Sequence, residues 1–480
     1  MQQKQIGAWL ASGGAVLILA MTLWPATPGA VPPLMVCVLC GSFGLRDAVL
    51  NVLLFAPFGA GLRLAGVHGR RALLLAAGVS VAVELAQLAF VPGRSATPGD
   101  LLFNVSGTLL GMVLAARWRL WAIPSPRSAL RLAWVAAVLW IGLTTFTVWA
   151  LEPSLPPDAY YGQWAPRLGG FDQFEGDVLA ARVGKEPLAD GPLSNADRVR
   201  QALSRGAPVR VVAMPDASQP RRGGTAPIVA VADAAQRHVF ILAQRGDDLL
   251  FDEWTRARAL GLNAPAARLH GAFVLSRETH GAPRWCDIDA ASRAAPGGVT
   301  LCAARSAGRV RLAVGAHAGA VPLGAHLGWT LFIPFPYALD DGAPQVLLSA
   351  LWLACLVVPA AYWLARGATG GAASTPRRVP RVPAAHTSGR ADGGRLPRGA
   401  WWAFAIAAMT VQIAIGLVAV PAAFGYPRVP WIAAAGALVG SVVGIAAGAW
   451  TRRFPARYIA GGLSPERERQ TPLTSDVSQP

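Results

Sequence analysis

The sequence predicts a polytopic α-helical membrane protein of about eight transmembrane helices, interrupted by an inserted all-β sandwich. Three observations carry that prediction. Apolar runs of about 20 residues recur, the length needed to cross a ~30 Å hydrocarbon core. The chain is 53% hydrophobic and only 14% charged over 480 residues. One long interval, about 152–344, breaks the pattern, with richer Asp, Glu, Gly and Pro and short alternating apolar stretches.

The spans are read at about 6–24, 46–66, 70–90, 99–117, 131–151, 345–365, 401–421 and 431–451. Lys4 ahead of the first run resembles the start of a signal peptide. The run is long for that purpose and further spans follow closely, so a retained anchor is expected. The predicted organisation is a five-helix domain over 1–151, an extracytoplasmic sandwich over 152–344 and a helix over 345–366. A basic disordered cytoplasmic linker (367–400), a helical hairpin (401–452) and a cytoplasmic tail (453–480) complete it. The linker is rich in Gly, Pro, Ala and Arg and too poor in apolar bulk to form a core.

Spans two to four carry polar residues where hydrocarbon is expected: Asn51, Ser80, Glu84, Gln87, Asp100 and Asn104, with Arg94 in the short connection. An ionisable group in a span costs at least ~2.5 kcal/mol at the bilayer centre, and usually marks a partner or a site. Ser80, Glu84 and Gln87 recur at i, i+4, i+7 and share a helix face. Asp100, Asn104, Gly107 and Gly111 form a comparable stripe on the next helix.

The spacing is also a family pattern. Asn51, Phe55, Pro57 and Gly59, then Ser80, Glu84 and Gln87, then Gly93, Arg94, Asp100, Asn104 and Gly107 resemble the core of the VanZ-like family of bacterial membrane proteins. Residues 95–99 depart from the aromatic and acidic run usual after that arginine. The resemblance covers roughly the first quarter of the chain. It implies a bacterial cytoplasmic-membrane protein with a link to glycopeptide resistance or envelope stress, and brings no settled activity.

The formal net charge is +17. Its placement follows the positive-inside rule: Arg63, Arg70 and Arg71; Arg117, Arg119, Arg127 and Arg131; seven arginines from Arg366 to Arg398; and Arg452, Arg453 and Arg457. All four clusters share one side if both termini are cytoplasmic. The charge is therefore read as a topology signal, with no nucleic-acid partner. The same topology places 152–344 outside and gathers the polar residues of spans two to four at the outer leaflet.

Within 152–344, strands are predicted at 227–233, 238–244, 248–254, 272–276, 299–304 and 309–314, separated by turn residues at intervals typical of antiparallel sandwiches. An apolar strand ending in Asp233, followed by a hairpin turning at Gly246, resembles a concanavalin A-like or laminin-G-like jelly roll. The resemblance implies a glycan as a possible partner, with Trp254, Trp285 and Trp329 as stacking candidates beside the simpler role of packing. Cys286 and Cys302 are expected to form a disulfide, which an oxidising exterior permits. Cys37 and Cys40 are read as small packing residues, because no thioredoxin-like context or second pair accompanies them.

No Ser-His-Asp order, metal-ligand spacing or phosphate loop is present, so no metal, cofactor or reaction is assigned. Three functions stay open. The first, favoured, is an envelope protein binding a membrane lipid, a lipid-linked cell-wall precursor or a glycan at the outer face. The second is an enzyme on such a substrate, with Glu84 as base, Arg94 as anion clamp and Asp100 as orienting group. The third is a lipid or small-solute transporter. An Arg94–Asp100 pair that merely caps span four is the competing structural account.

Overall fold

The computed structural model describes residues 2–24, 37–91, 97–215, 224–275, 283–286, 298–306, 308–335, 337–340, 342–368 and 398–451. Eight of its helices are long and apolar enough to cross a membrane. The first four are α1 (Gln2–Thr22), α2 (Gly44–Leu64), α3 (Gly69–Phe90) and α4 (Pro98–Ala116). They surround a core of their own, built on Ile18, Phe55, Phe58, Ala72, Val83 and Met112.

Glycine makes this unit close. A methyl added at Gly107 would lie 2.4 Å from the Val52 carbonyl oxygen, and one at Gly111 would lie 1.9 Å from that of Ala56. Helices α2 and α4 therefore meet backbone to backbone, as small-residue stripes allow in a bilayer. Helix α4 begins cleanly because Thr97 caps it, its hydroxyl accepting from the Asp100 N–H at 3.1 Å, with Pro98 at the first helical position.

Helix α5 (Pro126–Ala150) leads into the β region. The strands there are β1 (Tyr160–Trp164), β2 (Gly176–Val183), β3 (Glu186–Pro187), β4 (Gly191–Pro192), β5 (Val209–Pro215), β6 (Thr225–Asp233), β7 (His238–Arg245), β8 (Asp248–Glu253), β9 (Ala266–Leu269), β10 (Val299–Ser306), β11 (Arg309–Val314), β12 (His317–Pro322) and β13 (Ala338–Leu339). Helix α6 (Ala196–Ser204) lies between β4 and β5. One sheet runs β13-β9-β8-β7-β6-β1-β4 and the other β12-β11-β10-β5-β2-β3. Every pairing is antiparallel except β13 with β9. Val211 and Leu312 of one sheet share a core with Ile228, Phe240 and Leu249 of the other. Asp233, fully buried, ends β6 by accepting from the Arg237 N–H at 2.9 Å and its Nε at 2.7 Å. Gly246, at φ +60°, turns β7 into β8.

The expected strand over 272–276 is instead a short helix, Ala272–Leu275. The Asp248 carboxylate holds the Gly271 N–H at 2.8 Å, and the Asp247 carbonyl holds that of Phe273 at 3.0 Å, which bends the chain away from a sheet edge.

After the sandwich come α7 (Ala343–Gly367), α8 (Arg398–Ala414, continued through a wide turn at Ile415–Ala419 to Ala423) and α9 (Trp431–Thr451). Helix α9 lies against α7 through Gly436, Gly440, Gly444 and Gly448, each facing α7 backbone. Helix α5, grouped by sequence with the first four spans, packs against α7 and the end of α8. Its Trp140 and Val148 belong to one continuous core that runs from the sandwich into α7, α8 and α9. The helical part is thus two units, and the sandwich is continuous with the second.

Candidate functional site

The polar residues of α2, α3 and α4 gather at one end of the first unit. Asn51 Nδ2 donates to Asp100 Oδ1 at 2.5 Å. The other Asp100 oxygen accepts from the Thr97 hydroxyl at 2.9 Å, and the Thr97 N–H donates to Glu84 Oε2 at 3.0 Å. Thr97 thereby links two carboxylates carried by different helices. Asn51, Glu84, Thr97 and Asp100 are all half-buried.

Deeper in the membrane region lies a second layer. Asn104, 3% exposed, donates through Nδ2 to Ser80 Oγ at 2.9 Å. The Asn104 Oδ1 is buried and has no hydrogen-bond partner among the described residues. A buried acceptor left unmet costs ~1–3 kcal/mol, so its retention calls for an explanation.

Of the seven residues expected to form a site, five therefore meet: Asn51, Glu84 and Asp100 in the outer layer, Ser80 and Asn104 in the inner. Gln87 does not join them. Its Nε2 donates to the Thr22 carbonyl at 2.9 Å and ties α3 to the end of α1. Arg94 lies outside the described residues, so the Arg94–Asp100 cap does too; the cap that is described uses Thr97. Sequence reasoning passed over Thr97, although Thr-Pro-Gly-Asp carries a signal, a hydroxyl N-cap followed three residues later by an acid.

Cys37 and Cys40 form a disulfide just ahead of α2. This departs from their reading as packing residues: they lie in an irregular segment, Cys37 exposed, outside any helix. The bridged segment rests on α4, with the Val38 carbonyl 2.0 Å from where a Gly99 methyl would sit. It closes over the polar end. At that same end the Arg46 N–H donates to the Gly261 carbonyl of the sandwich domain at 3.0 Å.

Residues 15–120 match the VanZ/LLP1 family model. The matched segment contains α2, α3 and α4 whole, and every residue of the polar cluster. No curated protein and no solved structure matches the chain. The VanZ-like segment ends before α5, at the boundary between the two helical units.

The sandwich holds the second cysteine pair, Cys286 and Cys302, both fully buried and disulfide-bonded against Ala313 and Trp285. That contact makes Trp285 a packing residue. Trp329 donates to Ser349 Oγ at 3.1 Å and meets Tyr337 edge-on at 5.1 Å, so it seats the domain on α7. Trp254 lies under the Arg237 guanidinium at 6.0 Å. His326, 2% exposed, has its pKa lowered to about 4 by burial. No group of three or more His, Cys, Asp or Glu side chains that could hold a metal occurs among the described residues.

Proposed function

We propose that this is a bacterial cell-envelope protein whose VanZ-like helices bind a lipid headgroup or lipid-linked cell-wall precursor at the outer face of the cytoplasmic membrane. In this reading both termini are cytoplasmic, the 152–344 domain is outside, and that domain, of concanavalin A-like type, contacts glycan. One observation carries the proposal: an acceptor-rich polar end, with the Glu84 and Asp100 carboxylates joined through Thr97 above the unmet Asn104 oxygen. Hydroxyls and amides of a sugar or headgroup would satisfy such acceptors. Arg94, one loop away in sequence, would supply the fork that suits a phosphate. The orientation is supported by two cysteine pairs at the sandwich end of the molecule, since disulfides persist in oxidising compartments. It is also supported by Arg63, Arg70, Arg71, Arg117, Arg119 and Arg366 at the opposite helix ends.

The test is lipid retention by purified full-length protein, read by native mass spectrometry. Glu84→Gln keeps shape and most hydrogen bonding but removes charge, and is expected to lose the retained species while inserting normally. Arg94→Ala is expected to do the same for an anionic ligand. Unchanged retention in Glu84→Gln, with Arg94 and Asp100 variants falling together in protein level, would return the cluster to a purely structural role.

A further inference from the structure

A cavity of about 1020 Å³ lies in the other half of the molecule, where the sandwich meets the membrane helices. Four chain segments line it: α6 and its C-cap, the β10–β11 turn, the residues following α5, and the loop Phe424–Tyr426 that precedes α9. Two of these are the ends of spans, so the cavity sits at the level of the membrane surface.

Its walls differ in chemistry. One side is basic, with Arg198, Arg200 and Arg205 delivered by a single stretch of chain. Arg200 is held by Asp197 at 2.6 Å, but that carboxylate is 85% exposed, and such surface pairs are worth ~0–1 kcal/mol. Arg198 reaches Glu186 at 3.0 Å. Arg205 is exposed and makes no ion pair among the described residues. Apolar lining comes from Leu155, Leu203 and Phe424, Leu203 lying on α6 between the arginines, and Glu152, paired with Arg256 at 2.5 Å, lines the cavity as well.

Arg305 also lines the cavity. Its guanidinium donates to the Leu151 carbonyl at the end of α5, to the Tyr426 hydroxyl at 3.0 Å and to Glu253 of β8 at 3.4 Å. Burial pushes the Glu253 carboxyl up and the adjacent Arg305 charge opposes it. One residue thus ties the sandwich, α5 and the α8–α9 loop together.

We infer that this junction cavity binds the phosphate diester headgroup of an anionic lipid, with the α6 arginines on the phosphate and the acyl chains leaving past Leu155 and Phe424. Guanidinium forks match phosphate oxygens in pairs, and basic residues at a membrane surface each favour anionic lipid by ~1 kcal/mol. The volume suits a headgroup with its glycerol backbone. A free phosphate shares this chemistry but would leave Leu155 and Phe424 without an apolar partner. The inference does not rest on the Asp100 cluster, which belongs to the other helical unit.

Hydrogen–deuterium exchange of the full-length protein in nanodiscs tests it locally. Adding phosphatidylglycerol to a phosphatidylcholine bilayer is expected to slow exchange in 196–206 and 424–430. In Arg200→Gln/Arg205→Gln the phosphatidylglycerol titration should shift about tenfold or more, the loss of one or two charge-assisted hydrogen bonds. Exchange in β6 and β7 should stay unchanged, showing that the sandwich is intact. Glu84→Gln should keep the protection, which separates this site from the first. Inorganic phosphate giving the protection without phosphatidylglycerol would keep the anion site and overturn the lipid. Absence of protection, or protection persisting in the double variant, would overturn the inference.

Discussion

Helices α2 and α4 cross through Gly59, Gly107 and Gly111, and helices α7 and α9 cross through Gly436, Gly440, Gly444 and Gly448. In both pairs the glycines face partner backbone, and in both the contact is continuous along the spans. Yet α9 contains no charged residue, and α7 carries only Arg366, near its end, where it reaches Thr451 at 2.9 Å. The α2–α4 pair, with α3 beside it, holds Glu84 and Asp100 and an unmet Asn104 oxygen. Close helix packing in this protein therefore does not need acidic side chains on the packed helices. The second crossing serves as an internal control, and it agrees with the binding role proposed for the polar residues of the first.

The two units also differ in what they support. The first has its own core, while the second shares one with the sandwich. Gly440→Leu should break this arrangement most severely, since its side chain would meet the Ala354 carbonyl at about the distance of the Cβ clash, 2.4 Å. We expect destabilisation above about 4 kcal/mol, the range reached by severe core clashes, with proteolytic loss of the sandwich as well as α9. Gly111→Leu should damage α1–α4 to a similar extent and leave the sandwich protease-resistant. Equal loss of the sandwich in both variants would contradict the two-core arrangement.

A smaller effect is expected from Cys286→Ser or Cys302→Ser. The bridge closes a separation of 16 residues, worth ~3 kcal/mol by loop-closure entropy. Because of the shared core, denaturation followed by hydrogen exchange should show the loss spreading into α5 and α7 while α3 and α4 keep their protection. Loss confined to the sandwich alone would show that the junction is weaker than its buried contacts indicate.

Acid should weaken the same unit. His326 has a folded pKa near 4 against about 6.5 unfolded. Its contribution is full above the unfolded value and is lost as pH falls from there toward 4, because the unfolded chain takes up the proton first. At pH 5 the cost is about 2 kcal/mol from this group. His326→Gln should flatten the pH dependence of the sandwich melting curve between those values. A slope unchanged by the substitution would assign the acid sensitivity elsewhere.

Much of this was legible in sequence. All eight spans lie within a few residues of their expected positions, because length and hydropathy alone decide whether a segment can cross a bilayer. Five of the strands were readable from alternation, and the failure at Ala272–Leu275 arose from tertiary hydrogen bonds to Asp247 and Asp248. The convergence of Asn51, Glu84 and Asp100 followed from helix periodicity and alternating span direction. Three features were not legible. The place of α5 depends on which apolar face meets which, and α5 is apolar on most faces. The Cys37–Cys40 bond depends on an irregular segment. Arg305 at the junction binds groups 52, 121 and 154 residues away, which no local pattern encodes.

The central claim is that the polar layers of the VanZ-like unit exist for a ligand and not for packing. Ser80→Ala/Asn104→Leu tests it most directly, because both partners of one buried hydrogen bond become apolar together. Such paired replacement is near neutral or stabilising when the bond serves only itself. The measurement is the thermal midpoint of purified protein alongside its retained lipid by native mass spectrometry. The account predicts a midpoint within about 2 °C of the original or higher, with the retained lipid gone. A midpoint lower by about 5 °C or more, with the same lipid still bound, would contradict it.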